Sequence, residues 1–372
     1  MGKRAILFAG GGTGGHIYPN VAIAEALAEL APDLQPRFLV SNRESDDATM
    51  RKLGYAYHRS PVRPLPSVKK PWQAVGFLRS WRRATAQVRQ IIAEHEVAAV
   101  VATGGFVSGP GIVAAARTGT RRALVNLDAV PGKANRRLVR LCPDVFTAYA
   151  HELLPGAETI GLPLRAASRF AGTPAEAKAA LDLGLDPAKP LLFVTGATHG
   201  AESIVRLMEA WVGHADHVEA LAGWQVLHQC GTLDPDALAK AYDDAGVPAK
   251  VVRYLDGMGT AWRASDLAIA RAGAGTVAEA WANATPTVFL PNPYHQDQHQ
   301  RHNAQPMVDA GGAVMVSDHV DPAINLAEVV PAITSWLTDR SRREAMREAA
   351  EKSTPPDGAR VVAQWLVDTV GA

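Results

Sequence analysis

Short apolar runs alternate along this chain with stretches whose apolar residues recur every three or four positions. In the first half Ala5–Ala9, Arg37–Val40, Ala98–Ala102, Ala123–Asn126 and Val145–Ala148 read as strands. In the second half Leu191–Thr195, Trp224–Gln229, Val251–Tyr254, Leu267–Ala270, Thr287–Leu290 and Ala313–Val316 do the same. Such short, mostly apolar runs suit strands covered on both faces. Most end at Gly, Pro or Asn and pass into helix-period sequence, as Ala5–Ala9 passes through a glycine loop and Pro19 into Val21-Ala22-Ile23-Ala24-Glu25-Ala26-Leu27. Strand then helix, repeated, predicts an α/β protein of two Rossmann-like, doubly wound parallel-sheet domains. A length of 372 residues agrees, because one core stops growing at about 250–300 residues. The expected divisions are a first domain over 1–164, a second over 165–352, and a last segment, 353–372, whose helix returns to the first domain.

Composition changes this picture little, but charge does. The chain is 47% hydrophobic and 20% charged, ordinary for a globular protein. Cys142 and Cys230 lack metal-ligand spacing and read as small buried residues. The first strand follows the N-terminus directly, without a signal-peptide pattern, and no apolar run reaches about 18 residues. Residues 1–165 hold 22 Lys and Arg against 12 Asp and Glu, whereas residues 166–372 hold 16 against 25. A basic first half predicts an anionic partner there. Ser67–Arg89 favours an anionic membrane surface over nucleic acid: Trp72, Val75, Leu78 and Trp81 recur every three residues beside Arg82, Arg83 and further basic residues. An amphipathic helix covering the sheet is the plainer reading.

The candidate chemistry starts at Gly10-Gly11-Gly12-Thr13-Gly14-Gly15-His16. Glycines after a strand and before a helix let backbone N–H groups and the helix dipole hold a phosphate. The loop lacks the lysine of a P-loop and is not a clean dinucleotide fingerprint. It ends instead in a histidine, a residue able to move a proton near neutral pH. Arg271–Glu279 places Gly273 and Gly275 between another strand and helix. His295, His299 and His302 have metal-like helical spacing, while Gln300 and Asn303 suit recognition of a sugar. Asp234-Pro235-Asp236 reads as a helix cap with proline at the first position rather than as a metal site. No cofactor and no obligatory metal are expected.

Six segments together resemble the MurG family of peptidoglycan glycosyltransferases. They are Gly11–His16 with Pro19; Gly104-Gly105-Phe106-Val107-Ser108-Gly109-Pro110; Ala129-Val130-Pro131-Gly132 with Asn135-Arg136; Gly161, Pro163 and Arg165; Arg271-Ala272-Gly273-Ala274 with Thr276 and Glu279; and His295, Asp297, Gln300, Asn303 and Ala304. They occur in family order and span nearly the whole chain. The resemblance implies the two-domain GT-B fold and inverting, metal-independent transfer of N-acetylglucosamine from UDP-N-acetylglucosamine to the 4-hydroxyl of undecaprenyl-pyrophosphoryl N-acetylmuramyl peptide. It also implies a peripheral position on the cytoplasmic face of the bacterial inner membrane. Three segments depart from the family pattern. Val125-Asn126-Leu127-Asp128 stands where the family has His-Glu-Gln-Asn, Phe106 replaces a tyrosine, and Gly196-Ala197-Thr198-His199-Gly200-Ala201 replaces Gly-Gly-Ser-Gln-Gly-Ala.

By resemblance, Thr13, Gly14, Gly15, Gly105, Phe106 and Asp128 meet the acceptor, and the donor lies in the second domain facing the interdomain cleft. There Glu279 would accept the ribose hydroxyls, Leu255 would meet uracil, and Thr198 with Ala274, Gly275 and Thr276 would hold the pyrophosphate. Arg165 would neutralise the leaving phosphate, and Gln300 and Asn303 would read the sugar. The proton acceptor is His16 or Asp128. Two other readings stay open: a different GT-B enzyme, such as another UDP-sugar transferase or a UDP-N-acetylglucosamine 2-epimerase, and a non-catalytic nucleotide-sugar-binding scaffold.

Overall fold

The structure, a computed structural model, describes residues 4–66, 72–196, 201–294 and 297–371. It divides into two compact units, 1–165 with 356–372 and 166–355.

The first unit begins β1 (Ala5–Gly10), α1 (Gly14–Leu30), β2 (Gln35–Ser41), α2 (Glu44–Leu53), β3 (Tyr57–Ser60) and α3 (Gln73–Glu94). It continues with β4 (Val97–Gly104), α4 (Gly105–Thr118), β5 (Arg121–Asn126), α5 (Lys133–Leu138), β6 (Asp144–Thr147) and β7 (Glu158–Thr159). The sheet is parallel, in the order β3-β2-β1-β4-β5-β6-β7. Strand order reverses between β1 and β4, which opens a crevice at their carboxyl ends. The register ends with Gly10 beside Gly104, after an irregularity between Ala9 and Gly10. The two glycine loops therefore leave the sheet side by side. A Cβ on Gly10 would lie 2.4 Å from Thr103 Oγ1, so the approach needs the missing side chain.

The second unit holds α6 (Pro174–Ala180), β8 (Leu191–Thr195), α7 (Glu202–Val212), α8 (Ala215–Val218), β9 (Gln225–Gln229), α9 (Pro235–Asp244), β10 (Ala249–Val252) and α10 (Met258–Ala264). Then come β11 (Leu267–Ala270), α11 (Ala274–Ala282), β12 (Thr287–Phe289), α12 (His299–Asp309), β13 (Ala313–Met315), α13 (Pro322–Thr338) and α14 (Arg340–Ser353). Its parallel sheet has the order β10-β9-β8-β11-β12-β13 and reverses between β8 and β11. Trp211, Trp224 and Tyr242 fill the core on one side. Phe193 and Trp262 meet edge to face on the other, with centroids 4.9 Å apart. Asp234 caps α9 through Asp236 N–H, with Pro235 at the first position.

The last helix, α15 (Gly358–Val370), belongs to the first unit. Its Trp365 meets Phe146 edge-on, and Val370 O accepts from Arg4 at 2.8 Å. Gly358 fits against the Gly161 carbonyl so closely that an added Cβ would lie 1.7 Å from that oxygen. Gly358→Ala therefore forces the helix start away from the Ile160–Gly161 segment. Such overpacking costs about 1–3 kcal/mol, and thermal unfolding is expected to begin several degrees below the wild type. An unchanged melting profile would mean that this contact carries no stability.

Candidate active site

The sequence places the start of the first helix at Pro19, but α1 starts at Gly14. Thr13, Gly14 and Gly15 thus form a helix N-terminus, and His16 lies in its first turn. Proline lacks an N–H, so Pro19 leaves the Gly15 carbonyl without its intrahelical donor. The adjacent His16 carbonyl accepts from Thr103 Oγ1 at 2.8 Å and Asn20 Nδ2 at 3.3 Å. The helix tolerates the proline because the neighbouring strand end braces this turn.

The ring of His16 is fixed in the same way. Its Nδ1 lies 3.1 Å from the Thr103 carbonyl. A carbonyl can only accept, so Nδ1 carries the proton and Nε2 presents a lone pair. The ring lies over the Gly104–Gly105 turn, where both glycines have positive φ and an added Cβ would meet the imidazole at 3.1 Å. Burial holds the imidazole pKa below its ordinary value, while Asp128, the Thr103 contact and Asp46 raise it in part. The lowered pKa favours the neutral imidazole, whose Nε2 can accept a proton.

Asp128 follows β5, close enough to His16 to act on its titration. Its carbonyl accepts from Asn126 Nδ2 at 2.7 Å, and Asn126 Oδ1 accepts from Asn135 Nδ2 at 2.9 Å. Tyr149 also feels Asp128; burial and that charge push the phenol pKa well up, keeping it a donor. Phe106 packs against Gly12, whose φ is +96°. The structure therefore brings Thr13, Gly14, Gly15, His16, Gly105, Phe106 and Asp128 to one end of the first sheet. It adds residues that no sequence motif marks: Thr103, Asp46 and Arg43. Arg165 stands apart from this group. Its Nε donates to Glu25 at 2.8 Å and its guanidinium lies 6.0 Å from the Tyr18 ring centroid. A role at a leaving phosphate requires it to exchange that carboxylate for the phosphate.

In the second unit α11 starts after Gly273, which offers no side-chain cap. The N–H groups of Ala274, Gly275 and Thr276 therefore have no intrahelical acceptor, and the space above Gly275 is open. This turn suits an anion. Arg271 just before it is buried, with guanidinium bonds to Asp318 at 2.7 Å and the Leu290 carbonyl at 2.7 Å. It braces the turn and is not offered to a ligand. Glu279 receives Ser168 Oγ on Oε1 at 2.8 Å and the Trp262 indole on Oε2 at 3.2 Å. Burial raises its pKa and these two donors oppose that rise. Each oxygen keeps acceptor capacity for a further hydroxyl. Asn283 fixes the segment carrying Ser168, donating to its carbonyl at 2.8 Å. Leu255 is half-buried against the core around Trp262.

Two expectations need correction, and two further residues fall outside the described ones. Asn303 is fully buried and does not present its amide to a sugar. It is three positions beyond Gln300, about 60° around α12, and that rotation turns it inward with Ala304 and Met307. Gln300 uses its oxygen on Asn292 N–H at 2.8 Å. On α3 Trp81 does not join Trp72, Val75 and Leu78. A spacing of three drifts about 60° per step on a 3.6-residue helix, so after three steps Trp81 faces the opposite side. There it packs against Gly109 and lies 5.6 Å from Phe77. Trp72, Val75 and Leu78 are exposed at 70%, 59% and 49%, and Arg82 and Arg83 are exposed as well. Thr198 and His295 lie outside the described residues. Among the described residues no group of three or more His, Cys, Asp or Glu side chains could hold a metal ion.

Two doubly wound parallel sheets, each with a glycine-bearing helix start at its reversal point, define a glycosyltransferase of the GT-B class. Residues 6–147 match the glycosyltransferase family 28 N-terminal domain and residues 191–362 the C-terminal domain of that family. A UDP-N-acetylglucosamine–N-acetylmuramyl-(pentapeptide) pyrophosphoryl-undecaprenol N-acetylglucosamine transferase of a Nocardioides species is 34% identical, covering 98% of this chain and 97% of its own. One of the same name from Prosthecochloris aestuarii is 34% identical over 95% and 96%. The crystal structure of Acinetobacter baumannii MurG shares the fold, with a TM-score of 0.76 at 22% identity over 98% of this chain and 99% of that one. The chain belongs to the MurG family.

Because the His16 pKa is depressed, protonation removes the base only below its ordinary value of 6.5. The acidic limb of the rate profile is expected below pH 6.5 and absent from the residual activity of His16→Ala. Asp128→Asn should shift the limb lower still, since it removes a charge that favours imidazolium. A limb above pH 6.5, or one unmoved by Asp128→Asn, would contradict this electrostatic arrangement. At the second site Glu279→Ala removes a charged acceptor whose hydrogen bonds are each worth about 1.5–3 kcal/mol. UDP affinity measured by calorimetry should fall tenfold or more, with a smaller loss for Trp262→Phe; unchanged affinity would take Glu279 out of the nucleotide site.

Proposed function

We propose that this chain transfers N-acetylglucosamine from UDP-N-acetylglucosamine to the 4-hydroxyl of a lipid-linked N-acetylmuramyl peptide, with inversion. The observation that carries the reading is the ring of His16, its Nδ1 on the Thr103 carbonyl, seated among the glycine loops of the first unit. Relatives named for this reaction match over nearly the whole chain. The first unit binds the acceptor, with its pyrophosphate at the glycine loops. The second binds the donor, with the ribose on Glu279 and the pyrophosphate at the start of α11. His16 Nε2 takes the proton as the acceptor oxygen attacks C1 of the sugar, and the bond from C1 to the UDP oxygen breaks. The α11 N-terminus meets the charge developing on UDP, a role to which the family resemblance adds Thr198 and Arg165. Gln300 orients the sugar. Incubation with both substrates, the acceptor as a short-chain analogue and EDTA present, should give the disaccharide product by mass spectrometry. UDP-sugar binding without product would favour a scaffold, and epimerised donor would favour the epimerase reading.

No helix among the described residues is long and apolar enough to cross a membrane. For the lipid acceptor we assign contact with the anionic bilayer at the cytoplasmic face to Trp72, Val75 and Leu78, with Arg82 and Arg83 adding charge. Each such arginine contributes about 1 kcal/mol near an anionic surface. Liposome co-sedimentation should weaken with salt and with Arg82→Glu plus Arg83→Glu, and turnover on a long-chain acceptor in vesicles should fall while that on a short-chain one stays. Trp81→Ala should instead lower stability. Sedimentation indifferent to salt and to the paired substitution would return α3 to a purely structural role.

A further inference from the structure

Arg43 lies outside every motif that carries the family resemblance, yet its guanidinium donates to the carbonyl of Gly12 in the first glycine loop. The other end of the same residue is gripped from below. Asp46, 1% exposed, accepts from Gly12 N–H at 2.6 Å, Ser41 N–H at 3.1 Å and Ser41 Oγ at 2.6 Å, all on Oδ2. Two consequences follow for a loop that is to hold an anion. The Gly12 N–H is already used, which leaves Thr13, Gly14 and Gly15 to offer neutral dipoles at the start of α1. And a buried carboxylate lies directly beneath, where it repels an incoming negative charge.

A diphosphate diester brings about two negative charges, and opposing a buried carboxylate with dipoles alone is unfavourable. Arg43 is placed to reverse this balance. It is exposed, and its guanidinium has five N–H donors, more than Gly12 uses. It also stands 5.7 Å from the ring centroid of Phe106, on the second glycine loop. Phe106 has no donor of its own, and the guanidinium brings charged donors to the face of its ring. A fork of N–H groups matches phosphate oxygens better than a point charge does.

We propose that Arg43 is the cation that the acceptor's diphosphate meets at the first glycine loop, with Phe106 as its platform. The assignment rests on the acceptor reading above but is tested apart from it. Inorganic pyrophosphate is titrated by calorimetry into protein first saturated with UDP, which fills the donor site. Wild type should bind it, and Arg43→Ala and Arg43→Gln should both weaken binding at least tenfold. Arg43→Gln keeps an N–H for the Gly12 carbonyl but no charge, so it separates an anion contact from a brace of the loop. In turnover both variants should raise KM for the short-chain acceptor by a similar factor. KM for UDP-N-acetylglucosamine should stay within twofold. Pyrophosphate binding equal in wild type and Arg43→Gln, no pyrophosphate binding by wild type, or a change confined to the donor KM would overturn the proposal. Loss of turnover in wild type itself would instead sink the transfer reaction, leaving the calorimetric comparison as the test of Arg43.

Discussion

The active end of the first unit depends on how closely β1 and β4 run together where strand order reverses. Gly10 ends one strand beside Gly104 at the end of the other, and Thr103 fills the space where a side chain on residue 10 would lie. Thr103 then holds the first turn of α1 twice, by its hydroxyl on the His16 carbonyl and by its own carbonyl on the imidazole. One residue at a strand end thus fixes both the glycine-bearing helix start and the tautomer of His16. A side chain at residue 10 would part these strands and release both.

Both units place charge sparingly. The starts of α1 and α11 present N–H groups without a side-chain cap, and Arg43 is the exposed cation beside the first of them. The charged side chains nearby are mostly bound internally: Asp46 beneath the first loop, Arg271 on Asp318 behind the second, and Arg165 on Glu25. Glu279 differs, since its two donors aim it while leaving acceptor capacity on each oxygen.

Much of this was legible in the sequence. Eleven apolar runs placed the strands between glycine turns, and the parallel alternation followed. The strands it left out, Tyr57–Ser60 and Glu158–Thr159, lie at the edges of their sheet and have no apolar run to show. Glycine loops marked the two helix starts beside the strand-order reversals, at Gly10–Gly15 and Gly273–Gly275. Orientation was less legible. The three-residue spacing that linked Trp81 to Trp72 ignores the accumulated rotation of the helix, and the pairing of Gln300 with Asn303 made the same error over one step. Asp46 and Arg43 gave no signal, because an acidic first turn reads as a helix cap until the chain is folded and Gly12 is found against it.

The proposed chemistry turns on a single proton: His16 must carry it on Nδ1 and hold it there at neutral pH. Nitrogen-15 NMR of histidine-labelled protein, with His16→Gln to assign the signal, reads this directly through the two ring-nitrogen shifts across a pH titration. The structure predicts a protonated Nδ1, an unprotonated Nε2 at pH 7, and a titration midpoint below 6.5. An Nε2-protonated tautomer, or an imidazolium that persists to pH 7, would contradict it.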